Sequence, residues 1–364
     1  MGKLHPRRVL VIPYGSGIGD LALQRGTFSA VTRHFSDSEV SVFTPRKGQQ
    51  FLPPQVRLRS RVLVISAWDR ISGLERAWAR LGRLERPLIE GGFKLLPVES
   101  LSSFPGFVFR WRFDLVIDLL AFFAHAVDMR RDWLPPLPGE KPRHLLDLVA
   151  MHLNDVGICV DAAELLEPLP LTDADLKAAH ELRAGLPNGK LAILNPHAGS
   201  SLKLPPQHFW KQLIAELGSE GVHAMVVRGK GSLEESRAAT IAAAGATLLP
   251  SLTLPQIVAL GRLCESTVSP DTGLLHLAAL DGQRWVGLFG STNPYLLGPY
   301  DRSRGSLVIA EPAREPACYT CWQRFTVGSA CCPPFAEEGS CLWQIDPKVV
   351  ANLVLEQVGL AGAT

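Results

Sequence analysis

The chain has 364 residues, 46% of them apolar and 20% charged. That composition excludes general disorder, a coiled coil and a collagen-like chain, and the length predicts two domains. Net charge is only +2, but residues 1–150 hold 22 Lys and Arg against 14 Asp and Glu, whereas residues 151–364 hold 15 against 21. A basic half suits an anionic partner (a phosphorylated lipid, a membrane surface or nucleic acid), and it equally suits an Arg-rich solvated surface.

At the N-terminus Arg7 and Arg8 precede only Val9-Leu10-Val11-Ile12 before Pro13. This apolar run is too short for a signal peptide, so a cytoplasmic protein is expected. The same run reads as a buried strand, followed by a glycine loop, a helix and a second strand at Val40 to Phe43. The loop Gly15-Ser16-Gly17-Ile18-Gly19-Asp20 invites comparison with the dinucleotide fingerprint G-x-G-x-x-G, but Asp20 stands at the last glycine position. A carboxylate there would repel a pyrophosphate, and no acid ends the second strand. Asp20 is either a general base facing a cleft or a cap of its own helix.

Between Arg57 and Arg86, eight arginines alternate with Trp68, Leu74, Trp78, Leu81 and Leu84. This pattern allows an amphipathic helix touching a membrane or a lipid substrate. No RNA-reading motif or zinc-finger spacing accompanies it, so nucleic acid is not an expected partner. Phe113–Asp118 reads as a further strand. The stretch from Phe113 to Val127 carries Asp114, Asp118 and His125, so it is not expected to span a membrane, which needs about 18 apolar residues or more. A helix at His144 to Asp155 closes this half, and residues 158–189 form a connection with a helix near Asp173 to Ala184.

The second half alternates strands (Leu191–Asn195, His223–Val227, Thr247–Leu249, Ser266–Ser269, Trp285–Phe289) with helices near Gln207–Leu217, Leu233–Ala244, Pro255–Leu263 and Gly273–Ala279. Such alternation means a parallel sheet with right-handed crossovers. Two doubly wound α/β domains are therefore expected, residues 1–165 and 166–364, with chemistry in the loops beyond the strands' carboxyl ends. Asn195-Pro196-His197-Ala198-Gly199-Ser200-Ser201-Leu202-Lys203 offers small residues, two hydroxyls and a lysine before a helix: an anion cradle or an ordinary loop. In Ser269-Pro270-Asp271-Thr272-Gly273, Asp271 or Thr272 is expected to cap the next helix, with His276 one turn on. Gly290-Ser291-Thr292-Asn293 ends the next strand with more small polar residues. Together the three loops outline a nucleotide-sugar site.

Five of the seven cysteines, Cys318, Cys321, Cys331, Cys332 and Cys341, fall within 24 residues. In a cytoplasmic chain that pattern suits a structural zinc or iron site, with reduced thiols or a partial disulfide set as the alternative.

Taken together, these loops resemble the lipopolysaccharide heptosyltransferases, glycosyltransferase family nine. Ser269-Pro270-Asp271-Thr272-Gly273-Leu274-Leu275-His276-Leu277-Ala278-Ala279 is similar to the family's D-T-G-x-x-H-x-A-A block, and Val286-Gly287-Leu288-Phe289-Gly290-Ser291-Thr292 to the block that follows it. Gly19-Asp20, His197-Ala198-Gly199 with Lys203, and the cysteine-rich segment 318–341 match further family motifs. The chain departs from them at Leu204-Pro205-Pro206, where the family has tryptophan, and at Leu21 to Gly26, which lacks a threonine-proline ending.

The resemblance implies a GT-B fold, with an N-terminal acceptor domain and a C-terminal nucleotide-sugar domain facing a central cleft. It also implies an inverting sugar transfer, with heptose from ADP-heptose passing to a lipid-linked glycan of the lipopolysaccharide core at the inner membrane face. Asp20 would deprotonate the acceptor hydroxyl, and Lys203 with Ser200 or Ser201 would hold the donor diphosphate. Asp271, Thr272, Gly273 and His276 would position donor sugar and phosphates, and Glu234 or Glu235 would reach the ribose. The chemistry would need no metal. The alternatives are a protein acceptor of the autotransporter type, a sugar-nucleotide epimerase on the same fold, and a non-catalytic binding subunit.

Overall fold

The computed structural model describes residues 6–15, 17–42, 44, 46–53, 56, 113–119, 142–310 and 341–360. Ser16, the Arg-rich amphipathic segment from Arg57 to Arg86, and Cys318, Cys321, Cys331 and Cys332 lie outside the described residues. The chain forms two compact units, one from Met1–Val127 and Leu146–Glu167, the other from Asp128–Leu145 and Pro168–Thr364. No described helix is long and apolar enough to cross a membrane.

In the first unit β1 (Arg8–Ile12) lies between β2 (Glu39–Val42) and β3 (Leu115–Asp118), all parallel. Val9, Leu10, Val11 and Ile12 are fully buried, as a strand covered on both faces requires. The single helix expected after β1 is two, α1 (Ile18–Leu23) and α2 (Arg25–His34). The break falls at Gln24, whose side chain is drawn back into the preceding loop. Its Oε1 accepts from the Tyr14 N–H at 3.0 Å and its Nε2 donates to the Asp20 carbonyl at 2.9 Å.

Helix α2 then rests on a 3-10 turn at Ala162–Leu165, reached through α3 (Leu145–Asp155). The approach is so close that a Cβ on Gly26 would sit 2.1 Å from the Leu165 carbonyl oxygen. Buried Arg25 fixes the same junction by pairing with Glu167 at 2.8 Å and donating to the Phe51 carbonyl at 3.2 Å.

The second unit begins with α4 (Asp173–Ala184), started by a reciprocal Thr172–Asp175 cap that satisfies two orphan donors of its first turn. Six parallel strands follow: β4 (Lys190–Leu194), β5 (Val222–Val226), β6 (Thr247–Leu248), β7 (Ser266–Pro270), β8 (Trp285–Phe289) and β9 (Gly305–Ile309), in spatial order β6-β5-β4-β7-β8-β9. Helices α5 (Gln207–Ser219), α6 (Ser232–Ala242), α7 (Leu254–Gly261), α8 (Gly273–Leu280) and the short α9 (Pro294–Leu297) connect them, and α10 (Pro347–Gln357) closes the unit.

The expected elements appear within two residues of their bounds, and the short α9, β9 and α10 are additions. Strand β9 is a half-buried edge, whereas α10 is recruited by packing. Its Val350, Ala351 and Val354 join Phe209, Trp210, Leu213 and Leu217 of α5 in one core beneath the sheet. The chain runs outward from β4 to β6, then returns to β7 on the other side of β4. This reversal opens a crevice beyond the carboxyl ends of β4 and β7, the place where open α/β sheets bind ligands.

Gly26→Ala should destabilise the chain by about 1–3 kcal/mol, because the obstructing atom is backbone and has no rotamer to change. Gly218→Ala, on exposed α5 surface with open space around it, should instead add up to about 1 kcal/mol through helix propensity. Thermal or urea unfolding of the two variants measures both.

Candidate active site

The loops after β4 and β7 are tied together by one buried amide. Asn195, at the end of β4, donates from Nδ2 to the Ser269 hydroxyl at 3.0 Å and to the Thr272 hydroxyl at 3.1 Å. Those hydroxyls also bond each other at 2.9 Å. Thr272 therefore occupies the N-cap position of α8 without capping it: its side chain takes none of the helix's first amides. The expected cap is thus a cap by position only, because its hydroxyl is held on the sheet side. The first-turn N–H groups of α8 lack that partner and carry the positive end of the helix dipole.

Beside this helix start sits a chain of three charged or chargeable groups. The Lys203 ammonium lies 2.6 Å from Asp271 Oδ2, and His276 Nε2 lies 3.1 Å from Asp271 Oδ1. Burial alone would raise the Asp271 pKa. The adjacent Lys203 charge and the His276 hydrogen bond overcome that, holding the carboxyl well below the usual carboxylate range. Asp271 is thus ionised, and His276 donates to it from Nε2. His276 Nδ1 is buried and makes no hydrogen bond.

Lys203 closes a 3-10 turn at Ser201–Lys203, where its own N–H donates to the Ser200 carbonyl at 3.1 Å. The Ser200 hydroxyl accepts from the Leu202 N–H at 3.3 Å. His197, at the loop's start, bonds the Val227 carbonyl through Nε2 at 2.9 Å. Burial lowers its pKa, against partial compensation from that bond and from Glu234.

At the start of α6, Glu235 pairs with Arg228, and Glu234 Oε2 accepts from the Lys230 N–H at 3.0 Å. Both expected ribose acids therefore stand in the first turn of α6, just beyond the loop after β5, each with a partner of its own. The loop after β8 holds two buried hydroxyls, Ser291 Oγ and Thr292 Oγ1, that make no hydrogen bond. Asn195, Arg228 and Arg237 received no role from sequence. Asn195 had one visible signal, an amide directly after the apolar run of β4.

Asp20 belongs to the first unit, in the first turn of α1. Its Oδ2 accepts from the Gly17 N–H at 2.9 Å, so it does cap its helix. The glycines of this loop make room for that carboxylate: a Cβ on Gly15 or Gly17 would lie 2.5 Å or 2.7 Å from Oδ2. Tyr14 donates to the Asp20 carbonyl at 3.4 Å, and burial, with the Asp20 charge nearby, pushes its phenol well above its ordinary pKa. Among the described residues no group of three or more His, Cys, Asp or Glu is arranged to hold a metal. Of the cysteine cluster only Cys341 is described, and it is half-buried.

A parallel sheet in this strand order, with a lysine, a buried carboxylate and a helix start gathered at its reversal, defines a nucleotide-binding α/β domain. With a second parallel-sheet unit in the same chain, the architecture is that of the GT-B glycosyltransferases. Residues 151–322, just under half of the chain, match the family model of glycosyltransferase family 9 (heptosyltransferase). The lipopolysaccharide heptosyltransferase 1 of Escherichia coli O18:K1:H7 is 29% identical over 222 residues, 56% of this chain and 67% of that protein.

Among solved structures, the glycosyl transferase family 9 protein of Veillonella parvula aligns with a TM-score of 0.62 at 16% identity, covering 98% of each chain. The E. coli ADP-heptose lipopolysaccharide heptosyltransferase II aligns at 0.53 and 17%, covering 96% of this chain and 99% of that one. At these identities the likeness is one of fold. Lys203, Asp271 and His276 lie inside the matched segment; Asp20 lies outside it.

Removing one partner from the Lys203–Asp271 pair leaves the other charge uncompensated. Asp271→Asn should lower stability at neutral pH by up to about 3 kcal/mol. Because the folded-state pKa of Asp271 is depressed, the pair's contribution is present above the unfolded value of about 3.9 and is lost as pH falls through the folded one. The stability gap between wild type and variant should hold steady from pH 7 to 5 and close only in strong acid. Thermal melts across that range check it.

Proposed function

We propose that the chain is an inverting glycosyltransferase that moves heptose from ADP-heptose to a lipid-linked glycan of the lipopolysaccharide core. One observation carries the reading: the segment that matches the heptosyltransferase family also holds Lys203, Asp271, His276 and the side-chain-uncapped start of α8 together at the strand reversal. The ADP-heptose named for its structural relative supports this donor. Neither the epimerase nor the non-catalytic reading gains anything from the family match, and a lipopolysaccharide acceptor fits the named relatives better than a protein.

In this reading the acceptor hydroxyl oxygen attacks the anomeric carbon and the bond to the β-phosphate oxygen breaks. The hydroxyl proton passes to a carboxylate, and ADP departs with an added negative charge. That charge needs fixed donors where it develops. An ammonium has three N–H donors; Asp271 takes one from Lys203, leaving the others for phosphate oxygens. The α8 amides supply further donors at the positive end of a dipole. Asp271 does not contact the phosphates in this scheme. It holds Lys203 in place, and its own charge is balanced by Lys203 and by the His276 N–H. Glu234 and Glu235, in the first turn of α6, are assigned to the ribose hydroxyls. Asp20 is the acceptor-side base, its helix-capping bond fixing the carboxylate's orientation. The excess of basic residues in the first 150 suits an anionic lipid-linked acceptor and peripheral contact with an anionic membrane. A structural metal at the cysteine cluster would have no part in the transfer.

Asp20→Asn preserves an oxygen to accept from the Gly17 N–H but cannot take a proton. It should cut transfer by about 10²–10⁴-fold while leaving ADP affinity unchanged, as read by turnover assays and calorimetry; unchanged turnover would remove Asp20 from the mechanism. For the donor, ADP at 100 times its dissociation constant should stabilise the protein by about 2.7 kcal/mol in a thermal-shift assay. UDP, GDP and CDP at the same concentration should add far less. A preference for UDP or GDP would keep the class and discard the heptose.

A further inference from the structure

The loop that carries Lys203 runs from the end of β4 to the start of α5, and its two ends are joined by a residue outside it. Arg237, half-buried on α6, donates from Nε to the Pro196 carbonyl at 3.4 Å and from Nη2 to the Pro205 carbonyl. Between those carbonyls Ser200 holds Leu202 and Lys203 in a short turn, but Ala198 and Gly199 do not stiffen the chain, and a Cβ on Gly199 would meet nothing within 4 Å. His197 is fastened at the loop's entry, to the Val227 carbonyl and the Asn195 amide oxygen. Lys203 is fastened at its tip, to Asp271. The Arg237 contact spans entry and exit together.

Arg237 makes these bonds without a carboxylate. Among the described residues its hydrogen-bond partners are both main-chain oxygens, and burial lowers its pKa from the usual arginine value. A guanidinium suits the task because its planar fork presents several N–H donors in fixed directions, whereas an ammonium on a flexible stem is a point charge that cannot bridge two carbonyls with the same geometry. The arrangement places a cation where the fold itself gains little from charge but the loop gains a closed shape.

We infer that Arg237 is a positioning residue for the donor diphosphate: by clasping Pro196 and Pro205 it sets the loop so that the Lys203 ammonium meets the phosphates in one geometry. The role rests on the proposed donor reading and adds to it a residue that never touches the ligand. Without the clasp, Lys203 samples orientations that do not serve the diphosphate, while the surface that receives the nucleoside stays intact.

The test is calorimetric binding of ADP and of adenosine to the full-length chain carrying Arg237→Met, Arg237→Lys, Lys203→Ala, or Arg237→Met with Lys203→Ala. Arg237→Met should weaken ADP at least tenfold and adenosine less than twofold. Arg237→Lys should fall between wild type and Arg237→Met. In the Lys203→Ala background, Arg237→Met should cost ADP less than a further twofold, since its effect passes through Lys203. Equal losses for ADP and adenosine, or losses that multiply in the double variant, would reduce Arg237 to general support of the fold and overturn the inference. So would an ADP affinity unchanged by Arg237→Met. If Arg237→Met does not fold, the same three comparisons are read on Arg237→Lys. A wild-type chain that takes no ADP overturns the donor reading itself, and this role with it, whereas wild-type binding that the Arg237 variants leave unaltered overturns the role alone.

Discussion

The Lys203–Asp271 ion pair joins loops that follow two different strands, and much of the second unit's arrangement serves to bring those loops within reach. The strand order places β4 and β7 side by side although 71 residues separate Leu194 from Ser266. Asn195 cross-links the two strand ends from below, and Arg237 closes the Lys203 loop from its flank. An ion pair of this kind does not stabilise a fold by much in net terms, since desolvating both groups offsets most of their attraction. Its effect is directional. Asp271 cannot leave Lys203 without stranding a buried charge, so the ammonium is held at the sheet's edge before any ligand arrives, and a ligand need not order it.

Much of this was legible in the sequence for a simple reason. Parallel strands buried on both faces must be nearly continuous apolar runs, and such runs at Val9–Ile12, Leu191–Leu194 and Trp285–Phe289 admit few other readings. The loops after the strands then mark the ligand face, and within them Asp271, Lys203 and His276 stood out through the family resemblance, since β7 itself (Ser266–Pro270) is no apolar run. The edge strand Gly305–Ile309 left no such mark: it is as long as its neighbour β8 but half-buried throughout, and it opens with Gly and Ser. The break between α1 and α2 was equally hidden, because it depends on where the Gln24 side chain goes rather than on any helix-breaking residue. Arg237 was invisible for a related reason. In a helix that opens Ser-Leu-Glu-Glu-Ser-Arg, one more charged residue reads as surface, and only the fold reveals that two carbonyls from a distant loop meet it.

The role of Thr272 shows where local rules give way. A threonine before a helix of this kind is ordinarily read as a cap, and its position bears that out. Its hydroxyl is nonetheless engaged by Asn195 and Ser269, so the helix forgoes a side-chain cap that would normally be worth about 1 kcal/mol. A protein that leaves a helix start in this condition at the strand reversal keeps its donors for something else, which is why the site, more than the fold, points to an anionic ligand.

The glycines around Asp20 carry a consequence for how variation in this loop should be interpreted. A glycine-rich turn after the first strand usually makes way for a ligand's phosphates; here Gly15 and Gly17 make way for the protein's own carboxylate. A methyl group at Gly17 would meet the flexible end of the Asp20 side chain, which can turn aside, whereas one at Gly15 would also lie 2.9 Å from the Asp20 Cβ, which no rotamer moves away. Residues 15, 17 and 20 therefore behave as a single heritable character. With Asp20 as the proposed base, a change at either glycine would mimic the loss of the acid while the acid remains in the sequence, and an inventory of site residues alone would pass such a protein as intact.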